Sequence, residues 1–154
     1  MLLQLDFWTY RTRLRRSEKD GQTLVFDPIR RKHVALTPEE GLRQIVVQYL
    51  LNAKQYPASH IRVEIGLTLN GMPRRCDIAV FDPQLQPWLL VECKSPKVPL
   101  SQAAFEQVAR YNLTLQAPFL AITNGEATFC AQLHPEQGTF AFLNDFPEYS
   151  FRTS

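Results

Sequence analysis

The chain has 154 residues, enough for one domain with its own core, and 45% hydrophobic content, ordinary for a globular protein. No stretch approaches the roughly 20 apolar residues of a membrane span. The apolar start runs into Asp6, Arg11, Arg13, Arg15 and Arg16, which reverses the charge order of a secretory signal. A net charge of +2 gives no overall polyanion signal, but nine of the 17 Lys and Arg residues fall within positions 1–43. They form either a basic surface for phosphates or a solvated polar arm. Cys76, Cys93 and Cys130 are odd in number and widely spaced in mostly apolar surroundings. That pattern reads as buried thiols of a reducing cytoplasm, not as a disulfide framework or a zinc site.

Along the chain, residues 1–22 are expected as an N-terminal arm and about 23–145 as the core of a single domain spanning 1–154. Leu2 to Tyr10 suits a short helix or strand docked on the core, and Arg11 to Arg16 shows no decisive period. Thr23-Leu24-Val25-Phe26 and His33-Val34-Ala35-Leu36 read as short strands around a basic Arg30-Arg31-Lys32 tip. Thr37 then offers an N-cap hydroxyl, Pro38 suits the first helical position, and Glu40 completes a capping box. Leu42, Ile45, Val46, Tyr49 and Leu50 share one apolar face of that helix. Ile61, Val63, Ile65, Leu67 and Leu69 alternate as a half-buried strand, which Asn70-Gly71 turns back on itself.

Two apolar runs follow, Arg75 to Phe81 and Trp88 to Lys94, with a proline-flanked linker at 82–87. A hairpin symmetric about that linker sets position 81 opposite 88 and therefore Asp77 opposite Glu92. Two carboxylates so placed stand about 5 Å apart at Cβ and repel each other. A divalent cation relieves that conflict, and Mg²⁺ accepts two such ligands with several retained waters. Lys94, two residues beyond Glu92, shares its strand face and suits an attacking water or a developing phosphoryl charge. Structural ion pairs perturb such groups as well, so these residues alone divide evenly between a catalytic site and a salt-bridged one.

Ser101 can cap a helix running to about Gln116, with Ala104, Phe105, Val108, Tyr111 and Leu115 inward. Pro118 to Thr123 is a further strand, and the helical crossover makes it parallel to the Glu92 strand in a right-handed unit. Short strands near 127–133 and 139–143 finish the domain. Helix geometry puts Glu39 at the edge of the first helix's apolar face, with Arg43 one turn later, and Glu40 almost opposite. Either Glu39 is a fourth carboxylate that binds metal through water while Glu40 opposes the helix dipole, or both glutamates serve the dipole alone. By spacing alone, Gln107 and Tyr111 are a boundary pair on one helix face. Arg75 shares the face of Asp77 and suits either a phosphate or a surface ion pair.

Asp77 followed by Glu92-x-Lys94 resembles the core of the PD-(D/E)XK nuclease superfamily. Thr37-Pro38-Glu39-Glu40-Gly41-Leu42-Arg43-Gln44 resembles the "TPEExVRQ" opening of domains related to the N-terminal region of type I restriction enzyme R subunits. Arg74 to Phe81 and Leu90 to Pro96 are similar to the two active-site strands, and Gln107-Val108-Ala109-Arg110-Tyr111 to the Gln-x-x-x-Tyr motif of the RecB-like branch. Thr123-Asn124-Gly125 resembles the strand end that follows. Cys76 stands where the superfamily has its eponymous proline, a residue that contributes no ligand.

The resemblance implies an α/β restriction-endonuclease-like fold, with a central mixed β-sheet flanked by helices, and Mg²⁺-dependent cleavage of nucleic acid, DNA before RNA. Asp77, Glu92 and the backbone carbonyl of Cys93 would bind the metal, with Mn²⁺ able to substitute. Lys94 would activate water, Glu39 and Gln107 would support the site, and Arg43, Arg75 and Tyr111 would contact the nucleic acid. A homodimer and separate restriction-system subunits are admitted as partners. The competing expectation is a non-cleaving nucleic-acid-binding or adaptor module on the same scaffold. No G-x-x-x-x-G-K-[ST] loop or G-x-S-x-G nucleophile signature occurs in these residues.

Overall fold

The computed structural model describes residues 7–69, 71–115 and 117–151. The expectation for Leu2 to Tyr10 thus lies partly outside the described residues. Phe7 belongs to the core and Tyr10 and Leu14 pack partly buried against it, while residues 15–22 are exposed. Phe7 is 1% exposed and packs edge-on against Tyr49 with ring centroids 5.2 Å apart. The arm expected at 1–22 also contributes a strand, β1 (Arg16–Lys19), which pairs antiparallel with β2 (Gln22–Asp27). Asp20 and Gly21 both take positive φ, 53° and 75°, as a two-residue turn of the hairpin type requires. β3 (Lys32–Ala35) completes this three-stranded sheet.

Helix α1 (Pro38–Asn52) starts at Thr37, whose hydroxyl accepts the Glu40 N–H at 3.1 Å. Only this half of the expected capping box forms, because the Glu40 carboxylate is bonded to Arg30 and Gln44 instead. Strands β4 (Ile61–Leu69), β5 (Met72–Phe81), β6 (Pro87–Cys93), β7 (Phe119–Thr123), β8 (Thr128–His134) and β9 (Thr139–Phe142) form one six-stranded sheet in that order. All neighbours are antiparallel except β6 and β7, which are parallel as expected. Helix α2 (Gln102–Asn112) makes that crossover, with the Ser101 hydroxyl accepting the Ala104 N–H at 3.1 Å.

The two helices cover opposite faces of this mixed α/β sheet. Ile78, Val80, Leu89, Val91, Ala121 and Cys130 cluster with α1. Their strand neighbours Ala79, Leu90, Leu120, Ile122, Phe129 and Ala131 cluster with Phe105 and Ala109 of α2. This alternation is why the central strands read as unbroken apolar runs: both faces are buried. α2 is shorter than expected and leaves Ala104 and Tyr111 exposed.

One break in the pleat departs from the expected pattern. Ile61 and Val63 pack with α1, whereas Ile65, Leu67 and Leu69 of the same strand pack with α2. On β5, Cys76 belongs to the α2 cluster and Ile78 to the α1 cluster. Residues two apart share a face in a regular strand, so both strands change face between these positions. Glu64, at φ 53°, is the residue where β4 turns over.

Candidate active site

The hairpin register carries through to the acidic pair. Ile78 pairs with Val91 and Val80 with Leu89, which sets Asp77 opposite Glu92 by count. A bulge at Val80/Phe81 places Phe81 against Pro87, not the expected residue 88. The last ladder bond is replaced by a side chain: the Cys93 N–H donates to Asp77 Oδ2 at 2.9 Å. Asp77 is thereby tied to the residue between Glu92 and Lys94. Lys94 Nζ stands 3.7 Å from Glu92 Oε2, and its own backbone N–H donates to the Thr123 carbonyl at 2.8 Å. Asn124 holds the following loop by donating to the Val98 carbonyl at 2.9 Å. The Thr123-Asn124 strand end therefore fixes where Lys94 begins.

The repulsion expected between the two carboxylates is relieved by cations of the chain itself. Arg43 Nη2 donates to Asp77 Oδ1 at 3.0 Å, and Arg74 Nη2 donates to Glu92 Oε1. Because β5 changes face beside Asp77 while β6 alternates regularly from Leu89 to Cys93, Asp77 engages α1 and Glu92 lies in a cleft beside α2.

On the α1 side, the two glutamates are oriented the reverse of what was expected. Glu39 is exposed at the rim of a surface depression, and Glu40 is 7% exposed and turned inward. Glu40 Oε1 binds Arg30 Nη2 at 2.6 Å and Arg43 Nη1 at 3.0 Å, and its Oε2 accepts from Gln44 at 3.3 Å. Arg30 also binds Asp27, and Glu64 at 2.9 Å. Helix rotation about a single apolar face does not place these side chains, because α1 has more than one buried face. α1 is buried nearly all round, and Glu40, Arg43, Gln44 and Val47 form a second inward stripe. Spacing of i, i+3, i+4 and i+7 was the sequence signal for that stripe.

On the α2 side, Gln107 and Tyr111 line a cleft of about 380 Å³ with Arg74, Glu92, Val108 and Asn112. Tyr111 is 58% exposed, so the expectation that it packs inward is corrected. Arg75 projects into solvent, 74% exposed, and its ion-pair partner among the described residues is Glu64, at 4.0 Å. Its neighbour Arg74, to which the sequence reading gave no role, is the one that enters the site. Four buried polar atoms lack a partner among the described residues, Arg43 Nε, Arg74 Nε, Gln44 Oε1 and Asn112 Oδ1.

Burial opposes the charge of Arg43, but the Asp77 and Glu40 carboxylates outweigh it and hold its pKa above the usual value. Burial, reinforced by Asp77, pushes the Cys93 thiol up. Cys76, Cys93 and Cys130 are all free thiols. Among the described residues, no three His, Cys, Asp or Glu side chains gather as a metal-holding group. Asp77 and Glu92 are hard oxygen donors, however, and each Asp77 oxygen keeps a lone pair beyond its one N–H donor. That donor chemistry fits Mg²⁺, which takes one or two carboxylates and keeps its waters. Among the described residues, no helix is long and apolar enough to cross a membrane.

No curated protein matches the chain. The sequence model of one family, described as Type I restriction enzyme R protein N terminus (HSDR_N), matches residues 38–147, from the first residue of α1 to beyond β9. The chain belongs to that family.

Proposed function

We propose that this chain is a metal-dependent nuclease module of the PD-(D/E)XK type, with a restriction-endonuclease-like fold, hydrolysing phosphodiester bonds of DNA. The observation that carries the reading is the Asp77 carboxylate hydrogen-bonded to the backbone between Glu92 and Lys94. It sets Asp77 beside the strand end that carries Glu92 and Lys94, although Asp77 turns toward α1 and Glu92 toward α2. Asp77 and Glu92, with the Cys93 carbonyl, would hold Mg²⁺ or Mn²⁺, which supplies charge neutralisation and a more acidic water. Lys94, half exposed and beside Glu92, holds the attacking water and offsets negative charge on the phosphoryl group. Glu40, not Glu39, is the early-helix acid that supports the site, acting through Arg43 on Asp77. Gln107 and Tyr111 border the Glu92 cleft where a strand would lie. The family description supports DNA and other restriction-system subunits as partners, and the cytoplasm is the compartment this reading assigns.

A second reading, a non-cleaving nucleic-acid-binding or adaptor module, is favoured by one observation: both acids are neutralised by arginines. Incubation with supercoiled, linear and single-stranded DNA and with RNA, in Mg²⁺ or Mn²⁺, separates the two. Cleavage by the wild type and its loss in Lys94→Ala supports the nuclease. Binding without cleavage or Mn²⁺ affinity supports the adaptor, and cleavage unchanged by Lys94→Ala sinks the assigned site.

A further inference from the structure

The two guanidiniums that neutralise the acids are not equivalent. Arg43 bridges two carboxylates, Asp77 and Glu40, and Glu40 is itself tied to Arg30. Loss of Asp77 would leave it paired. Arg74 has one carboxylate partner among the described residues, Glu92, and its other polar neighbour is the Cys76 thiol, a weak acceptor. Its Nε–H is buried and has no partner among the described residues. Arg74 borders two surface clefts, one shared with Glu92, Gln107 and Tyr111, the other with Thr68 and Pro73. A guanidinium presents its donors as a planar fork matched to a carboxylate or a phosphate. Held by one exchangeable carboxylate, this fork is the one of the two guanidiniums that can change partner.

We infer that Arg74 is a substrate-binding residue that exchanges Glu92 for a phosphodiester oxygen of the bound strand. The inference rests on the nuclease reading above. A divalent cation and Arg74 Nη2 compete for the same Glu92 carboxylate. A cation taking Glu92 therefore releases the guanidinium next to the strand's phosphates. Cation binding and strand binding then favour each other, since each removes a cost of the other, and linkage makes that coupling reciprocal.

The test uses the full chain, with Mn²⁺ affinity by calorimetry and binding of a short fluorescein-labelled DNA strand by anisotropy, with and without Ca²⁺. In the absence of DNA, Arg74→Gln should bind Mn²⁺ about fivefold or more tightly than wild type. Its strand affinity should lose the dependence on Ca²⁺ that the wild type shows, and Arg74→Lys, which keeps charge without the planar fork, should retain part of it. Circular dichroism checks folding; if Arg74→Gln does not fold, Arg74→Lys is read in the same way. Wild type that binds Mn²⁺ while the variant binds it no more tightly overturns the exchange and leaves the nuclease reading standing. So does a variant whose strand affinity keeps the wild-type response to Ca²⁺. Wild type that binds no Mn²⁺ overturns both.

Discussion

Glu64 stands across the β4–β5 ladder from Asp77, between the pairs Val63–Ile78 and Ile65–Cys76, and its φ of 53° marks where both strands change face. The left-handed conformation costs a side-chain-bearing residue roughly 1–2 kcal/mol, and glycine almost nothing. Glu64→Gly gives up exposed ion pairs with Arg30 and, at longer range, Arg75, each worth little, so it should be neutral or mildly stabilising. Glu64→Val, branched at Cβ, should be less stable than Glu64→Gly by at least about 1 kcal/mol. Urea unfolding of the two variants measures the difference; equal midpoints would refute a strained Glu64.

Glu40 and Glu39 offer a contrast between adjacent residues. Glu40→Gln removes charge from the carboxylate that binds Arg30 and Arg43, and should cost about 1.5–3 kcal/mol. Glu39→Gln, at an exposed rim position, should stay within about 0.5 kcal/mol of wild type. Thermal melts settle the order, and equal losses would contradict the inward Glu40.

Arg43→Ala should be the most damaging of the site substitutions. It leaves Glu40 and Asp77 without a shared counter-charge in a largely buried setting, at a cost of about 3 kcal/mol. Asp77→Asn leaves Arg43 on Glu40 and should cost less. A double-mutant cycle on Arg43 and Asp77 reads their coupling directly, and zero coupling would mean that the pair is incidental.

Acid stability should depend on Asp27. Burial works against its ionisation, but the Arg30 side chain and the backbone N–H groups of Arg30 and Ile29 outweigh that and hold its pKa below the usual carboxylate value. A depressed folded pKa gives stability that is fully present above the unfolded pKa, about 3.9, and is lost as pH falls through the folded one. The stability gap between wild type and Asp27→Asn should therefore be constant near neutrality and shrink below about pH 4. A gap that stays unchanged in strong acid would rule out this linkage.

The three thiols should be inert in the folded protein. Burial pushes Cys130 up to about 12 and raises Cys76 and Cys93 as well, so almost no thiolate forms near neutral pH. Ellman's reagent should react slowly with native protein and promptly with all three thiols in denaturant. Rapid native reaction would place at least one thiol on the surface.

Local chemistry written into the chain located the elements that carry the site. Thr37-Pro38 and Ser101 start the two helices, the paired apolar runs make β5 and β6, and a hairpin count alone set Asp77 against Glu92. These features depend on neighbours close in sequence, so they are legible without a fold. What filled the site was decided by contacts between distant segments. Arg30, from the β2–β3 turn, meets Glu40 and Glu64; Arg43 meets Asp77 from another layer; and Arg74, not Arg75, turns toward Glu92. A carboxylate pair needs counter-charge, but the sequence does not name the donor, because pairing of charges is set by three-dimensional proximity and by which helix faces are buried. The face change at Glu64 was equally illegible: a single backbone torsion, held by packing on both sides of the sheet, redirects the side chains around it.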